Sequence, residues 1–462
     1  MRSDQAGRAW TGLALLLAVA LRTIFVLSFP TIHGGDAAAR LANADTVNLG
    51  YQLPLPQALV ILGKTLHDDP LLVRLIFCAF GGLLAAGGTA LLGLAVSARA
   101  ALFGSLLLSF DPLLAHYSIV PYQEAVAYAL LAWAFYFGAS DRLRIGTFLM
   151  AASCLSRYEA WLFLPAFLWV SRSGWAVFMA SLPVFGWTLW WRGLAPSGLY
   201  VLDLDVQASR LSRLAFLARK FLEYETAFVL VLAMLCIVLS LARSGRLVLK
   251  FTAVMGLVIA VVVAFGHEYP PGSGLMSERL IHLPVLLALP LVAIALDRIS
   301  GRSRLAKSVC LAALLLLGGR NVRFETALLK AAAKDPDLAL AREVARAIEA
   351  NRTSGECITV LAPEVDKAVL DAYVEKVGAA FGDVVRARER ASVLATSSPD
   401  RDRIAAHLRA RVGTIRGRVG CPLLVLIDDA GTEETRRAAE SMARVAEISA
   451  GSRRARILRI RP

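Results

Sequence analysis

The stretch "IGTFLMAASCLSRYEAWLFLPAFLWVS", residues 145–171, decides how this chain is laid out. It is a single apolar run, interrupted in the middle by Ser156-Arg157-Tyr158-Glu159. A helix crosses a bilayer core with about 20 apolar residues. The run is therefore either one tilted span carrying charges inside it or two short helices meeting at a membrane face. Nine other apolar segments surround it, at 10–29, 71–96, 101–119, 122–139, 175–193, 223–242, 249–266, 280–297 and 303–319. The two readings differ by one crossing, so they place everything after Ser171 on opposite sides of the membrane.

The distribution of basic residues separates them. With a cytoplasmic N-terminus and two helices, the inner loops hold Arg99, Arg142, Arg144, Arg172, Arg243, Arg246, Lys250, Arg298, Arg302, Arg304 and Lys307. With one helix, the cluster at 298–307 falls outside. The expected architecture is a polytopic α-helical membrane protein of about 11 transmembrane helices. The segment from Trp10 to Phe29 is read as a retained first helix rather than a cleaved signal, because it is long enough to span and further spans follow. The loop 194–222, with Arg210, Arg213, Arg219 and Lys220, then lies outside, where long loops count for less.

Composition agrees. The chain has 462 residues, 57% hydrophobic and 19% charged, with a mean hydropathy of +0.59. This excludes a disordered chain and argues against an ordinary soluble domain. The formal charge of +14 is scattered between apolar runs and the C-terminal part, with no zinc-finger or aromatic-basic pattern suited to nucleic acid. Six cysteines are too dispersed for a disulfide framework. Cys357 and Cys421 would have the chance to pair in an oxidising compartment.

Composition changes near residue 325, dividing the chain into a transmembrane domain, 1–324, and a soluble domain, 325–462. The tail opens on a charged helical pattern at 325–349. Apolar stretches at 357–363, 421–429 and 454–460 predict strands, and helical patterns at 364–379 and 433–448 separate them. A small C-terminal extracytoplasmic α/β domain with a parallel or mixed sheet is expected. It has no glycine-rich phosphate loop.

Acidic residues recur at the outer ends of the spans. Asp36, in His33-Gly34-Gly35-Asp36, follows the first. A carboxylate there would accept a proton from an acceptor hydroxyl or amine, or would cap an interfacial helix. Glu124 opens the fourth span, where the helix N-terminus alone favours a carboxylate. Asp111, before Pro112, would cap the segment 112–119 or join the other two. Asp36, Glu124 and Asp111 with a substrate phosphate would suit Mg²⁺ or Mn²⁺, and His116 would add a ligand or lie at the interface. Arg157 would neutralise Glu159 at the helix break or bind an anionic group through its planar fork. Arg279 would clamp a lipid phosphate or snorkel to the headgroups. Tyr122, Glu159 and His267 complete the expected substrate-binding set.

The order of these features resembles the GT-C superfamily of integral-membrane glycosyltransferases. It is nearest to family 39, with its lipid A aminoarabinose transferases and protein O-mannosyltransferases. The resemblance is carried over roughly 10–320 by Asp36, "PLPQALVILGKTL" (54–66), the Arg74 region, "DPLLAHYSIVPYQEA" (111–125), "LSRYEAWLFLP" (155–165) and "SERLIHLP" (277–284). It implies inverting transfer of a sugar from a polyprenyl-phosphate donor to an extracytoplasmic lipid, glycan or protein acceptor. Asp36 would be the catalytic base and Glu124, with Asp111, the second acidic site. Arg157 and Arg279 would meet the donor phosphate or sugar. One departure bears on the metal: Asp36 is followed by Ala37, where the family commonly has an Asp-Glu pair. The alternative is a transporter or flippase for a lipid-linked saccharide, which would show internal repeats; none is evident.

Overall fold

The computed structural model describes residues 2–28, 53–67, 70–109, 111–140, 142–194, 304–333, 358–361, 423–428, 443–450 and 453–459, with Ala37, Arg40, Leu41, Ala44, Val47, Leu214, Ala215, Ala218 and Arg219. The helices are α1 (Arg2–Ser28), α2 (Pro54–Leu66), α3 (Pro70–Leu92), α4 (Ala98–Ser109), α5 (Pro112–Ile119), α6 (Gln123–Gly138), α7 (Leu143–Cys154), a 3₁₀ helix (Tyr158–Phe163), α8 (Leu164–Ser171), α9 (Gly174–Leu194) and α10 (Arg304–Ala333). Four strands follow, β1 (Ile358–Leu361), β2 (Leu423–Asp428), β3 (Ala443–Ala450) and β4 (Arg453–Arg459). The chain groups into two compact units. One collects Met1–Ser28, Asn48–Pro56 and Arg74–Ala327, and the other Phe29–Val47, Gln57–Val73 and Leu328–Pro462.

Membrane character shows in what the helices leave uncovered. Gly7–Ser28 and Leu71–Leu92 are long and apolar enough to cross a bilayer. On α9, Trp175, Phe178, Leu182, Phe185 and Leu189 are exposed at helical spacing. Leu16, Ile24 and Leu27 do the same on α1. A contiguous apolar surface of this kind is stable against lipid rather than water.

The 145–171 run breaks where its charges predict. Helix α7 stops at Cys154, and the chain resumes as the 3₁₀ helix at Tyr158, which continues into α8. Arg157, between them, is extended at φ −156° and ψ 139°. At about 1.5 Å per residue, the 12 residues of α7 reach well short of a 30 Å core. The expected spans 223–242, 249–266 and 280–297, on which the full count rests, lie outside the described residues.

Three sequence expectations are corrected. The span 101–119 is two helices, α4 and α5, separated at Asp111-Pro112. Proline has no N–H to continue the ladder, and the Asp111 carboxylate accepts the Leu114 N–H at 3.0 Å to start a new helix. The separate elements 303–319 and 325–349 are joined in α10, which runs unbroken from Arg304 to Ala333. The helical pattern 433–448 ends in a strand, since Ala443–Ala450 is β3. Its pairing with β4 slips between Arg444 and Ala446. That extra residue breaks the alternation of period two and leaves Val445 and Ile448 at a helix-like spacing.

The strands expected at 357–363, 421–429 and 454–460 form a mixed sheet of order β1-β2-β4-β3. β1 runs parallel to β2, with Ile358 opposite Leu423, and β4 is antiparallel to both β2 and β3. Gly451-Ser452 separates the paired Ala450 and Arg453, a composition suited to a two-residue hairpin. The helical pattern at 364–379 lies outside the described residues.

In the helical unit, α6 and α7 pack antiparallel at close range. The Ser153 hydroxyl donates to Ala127 O at 2.8 Å. A Cβ at Gly146 would stand 2.7 Å from Gly138 N and 3.0 Å from Ala134 O. Small residues thus let the two backbones touch, the usual source of helix attraction in lipid. Gly146→Leu should destabilise the detergent-purified protein by about 1–3 kcal/mol through overpacking. An unchanged thermal midpoint would show that the helices are not in this contact.

Candidate functional site

Two buried polar clusters sit within the helical unit. The first is built by the break at Arg157. Glu124 lies in the first turn of α6, whose N-cap, Tyr122, provides no side-chain cap. Arg157 Nη1 donates to Glu124 Oε1, and Nη2 donates to Glu159 Oε1 at 2.6 Å. Glu124 is fully buried, Arg157 is 3% exposed, and the Glu159 side chain is 19% exposed. The guanidinium lies 6.0 Å from the centre of the Tyr128 ring, within cation–π range.

Burial opposes the Arg157 charge, but Glu124 and then Glu159 outweigh it and hold the group well above its ordinary range. Arg157 therefore stays protonated at any pH the protein would meet. Glu124 Oε2 and Arg157 Nε have no hydrogen-bond partner among the described residues. With both carboxylates ionised, the trio carries a net charge of about −1.

The surroundings keep this trio in place. Trp161 Nε1 donates to Cys154 O at 2.9 Å, closing the turn around Arg157. Trp187 Nε1 donates to the Tyr158 hydroxyl at 3.3 Å. The Leu55 N–H donates to Leu155 O at 3.1 Å, tying the start of α2 to the end of α7. Tyr122 is buried and stacks edge-on against Tyr117, with ring centres 5.0 Å apart.

The second cluster surrounds α5. Arg22, buried in α1, donates through Nε to Ser118 Oγ. It also donates through Nη1 to Ser109 Oγ at 2.8 Å and Ala18 O at 3.1 Å, and through Nη2 to Ser109 O at 2.7 Å. Gly81 makes room for this, since a Cβ there would lie 2.7 Å from Ser118 Cβ and 2.8 Å from Arg22 Cδ. Arg74 Nε donates to Ile119 O at 2.9 Å at the C-terminal end of α5. His116 Nδ1 stands 3.3 Å from Glu325 Oε1, and Glu325 is 1% exposed.

The predicted site residues divide accordingly. Glu124, Arg157 and Glu159 come together. Asp111 is buried and caps α5 through one oxygen. Asp36, His267 and Arg279 lie outside the described residues. Among the described residues, no group of three or more His, Cys, Asp or Glu side chains is placed to hold a metal. Asp36, the first of the three carboxylates expected to hold Mg²⁺ or Mn²⁺, lies outside the described residues.

Sequence reasoning passed over Arg22 and Glu325. Arg22 was legible as a lone charge inside an apolar run, where charges are costly and usually have a task. Glu325 falls at the compositional boundary, where it reads as the first residue of a soluble tail.

No protein-family model matches the chain, and no curated protein matches it. Among solved structures, it is similar to ArnT from Cupriavidus metallidurans in the apo state, with TM-score 0.63 and 15% identity over 98% of each chain. It is also similar to ArnT from Cupriavidus metallidurans bound to undecaprenyl phosphate, with TM-score 0.65 and 13% identity, again over 98% of each chain. The likeness is one of fold across nearly the whole of both chains. It agrees with the fold that the GT-C resemblance implies.

Arg157→Ala should cost about 3–5 kcal/mol, because two carboxylates lose their counter-charge in a buried site. Arg157→Lys should recover little, since one ammonium does not reproduce the fork. Removing all three charges together, as E124Q/R157M/E159Q, should restore most of the stability. Chemical or thermal unfolding in detergent measures all three. A triple variant as unstable as R157A would rule out this electrostatic account.

Proposed function

We propose that this chain is an inverting membrane glycosyltransferase that moves a sugar from a polyprenyl-phosphate-linked donor to an extracytoplasmic lipid, glycan or protein acceptor. The observation that carries the proposal is the ArnT fold over 98% of both chains, including ArnT bound to undecaprenyl phosphate. The burial of Glu124 in the first turn of α6 supports it, because the resemblance calls for a carboxylate at the start of that span.

In this reading, Asp36 accepts the proton of the acceptor hydroxyl as that oxygen attacks the anomeric carbon. The new C–O bond forms on one face while the bond to the phosphate oxygen breaks on the other. The electron pair leaves with polyprenyl phosphate, and the anomeric configuration inverts. Positive groups aimed at the departing phosphate lower the barrier, and Arg279 is the candidate for that task. Arg157 faces two carboxylates already, which favours a role in orienting Glu124 over one in binding phosphate. Glu124 would present its second oxygen, Oε2, to a hydroxyl of donor or acceptor. His267, Tyr122 and Glu159 would shape the same pocket. Mg²⁺ or Mn²⁺ held by Asp36, Glu124 and Asp111 would add positive charge beside the departing phosphate.

The same reading sets the N-terminus in the cytoplasm, takes 1–324 as the transmembrane domain and places the soluble α/β domain, 325–462, outside. The test is transfer by purified protein from a panel of polyprenyl-phosphate sugars to membrane extracts, read by mass spectrometry. Asp36→Ala and Glu124→Ala should each lower turnover by about 100-fold or more, while both variants still reach the membrane folded. Normal turnover by both would overturn the site. Movement of the intact donor across vesicles without transfer would establish the flippase alternative instead.

A further inference from the structure

We infer that Glu325, on the last described helix, is a positioning residue for Glu124 and acts through His116. The inference rests on the transferase reading above. Three observations carry it. Glu325 is 1% exposed, and its Oε1 lies 3.3 Å from His116 Nδ1. Both Glu325 oxygens lack a hydrogen-bond partner among the described residues, and His116 Nδ1 is the polar group that stands closest to this buried carboxylate. His116 belongs to the eight-residue helix α5, which leads through Val120, Pro121 and Tyr122 directly into the first turn of α6, where Glu124 lies.

Helix α5 is too short to hold itself in place. It is fixed from outside by three charges. Arg22 grips Ser109 before it and Ser118 near its end. Arg74 holds Ile119 O. Glu325 faces His116 on the middle turn. Removing the Glu325 carboxylate takes away the group that faces His116 and so loosens the connector that aims Glu124. In a site where position decides rate, a displacement of about 1 Å is worth roughly 100-fold.

Glu325→Gln keeps the size of the side chain and removes its charge. Two readouts are made on the full-length protein in detergent. The first is hydrogen exchange by mass spectrometry: E325Q should raise exchange across 112–124 and leave α7, residues 143–154, unchanged. The second is transfer kinetics with the polyprenyl-phosphate sugar that the wild type uses. kcat should fall roughly 10- to 100-fold with KM for the donor within about twofold, as expected when only transition-state alignment is lost. His116→Gln should act alike, and H116Q/E325Q should be no slower than the worse single variant.

Unchanged exchange across 112–124 would overturn the inference. So would raised exchange with unchanged kcat, or kcat losses that simply multiply in the double variant. A wild type inactive with every donor would instead sink the transferase reading, which separates the two failures.

Discussion

A guanidinium buried between two carboxylates ties together the elements on either side of the break in the 145–171 run. Arg157 joins the first turn of α6, through Glu124, to the start of the 3₁₀ helix, through Glu159. Taking three charges out of water is costly, and such an arrangement adds little net stability over well-packed apolar residues. Its effect is on geometry. In this arrangement one guanidinium faces both carboxylates and joins the two elements that carry them. The extended backbone at Arg157 follows from this, because a continuous helix would carry its side chain away from Glu124 around the helix axis.

The rest of the helical unit obeys the same rule in milder form. In a bilayer, attraction between helices comes from close contact and hydrogen bonding rather than from expulsion of water. Gly146 lets α7 touch α6, and Gly81 leaves space for the Arg22 side chain. Arg22 and Arg74 spend their donors on serine hydroxyls and backbone carbonyls rather than on lipid. Polar contacts recur along the connector from Ser109 to Glu124, while α1 and α9 turn large apolar side chains such as Leu16, Ile24, Trp175 and Phe185 to the outside.

Much of this was legible in the chain. The interruption at Ser156–Glu159 left one tilted span or two short helices open, the basic residues of the later loops favoured two, and the break at Arg157 accords with that reading. Asp111-Pro112 carried both a cap and a breaker, yet apolar length argued for one span at 101–119. The local signal prevailed over the length. In the tail, three strands were readable from their short β-branched and leucine-rich runs. The fourth was hidden, since a bulge in β3 imitates a helical period and only its partner strand defines it.

The sequence by itself determined the apolar segments, the polar interruption at Ser156–Glu159 and the recurrence of acidic residues at the ends of apolar segments. These follow from hydropathy and local backbone chemistry, which act over a few residues. Only the tertiary structure decided which charges meet. Glu124 and Arg157 are 33 residues apart in the chain, and Arg22 and Ser118 are 96 apart. The physical reason is that a buried charge has no preferred partner until folding excludes water and leaves one within reach. Glu325 makes the point most sharply: its neighbours in sequence mark it as part of a soluble tail, and its neighbours in space bury it beside His116.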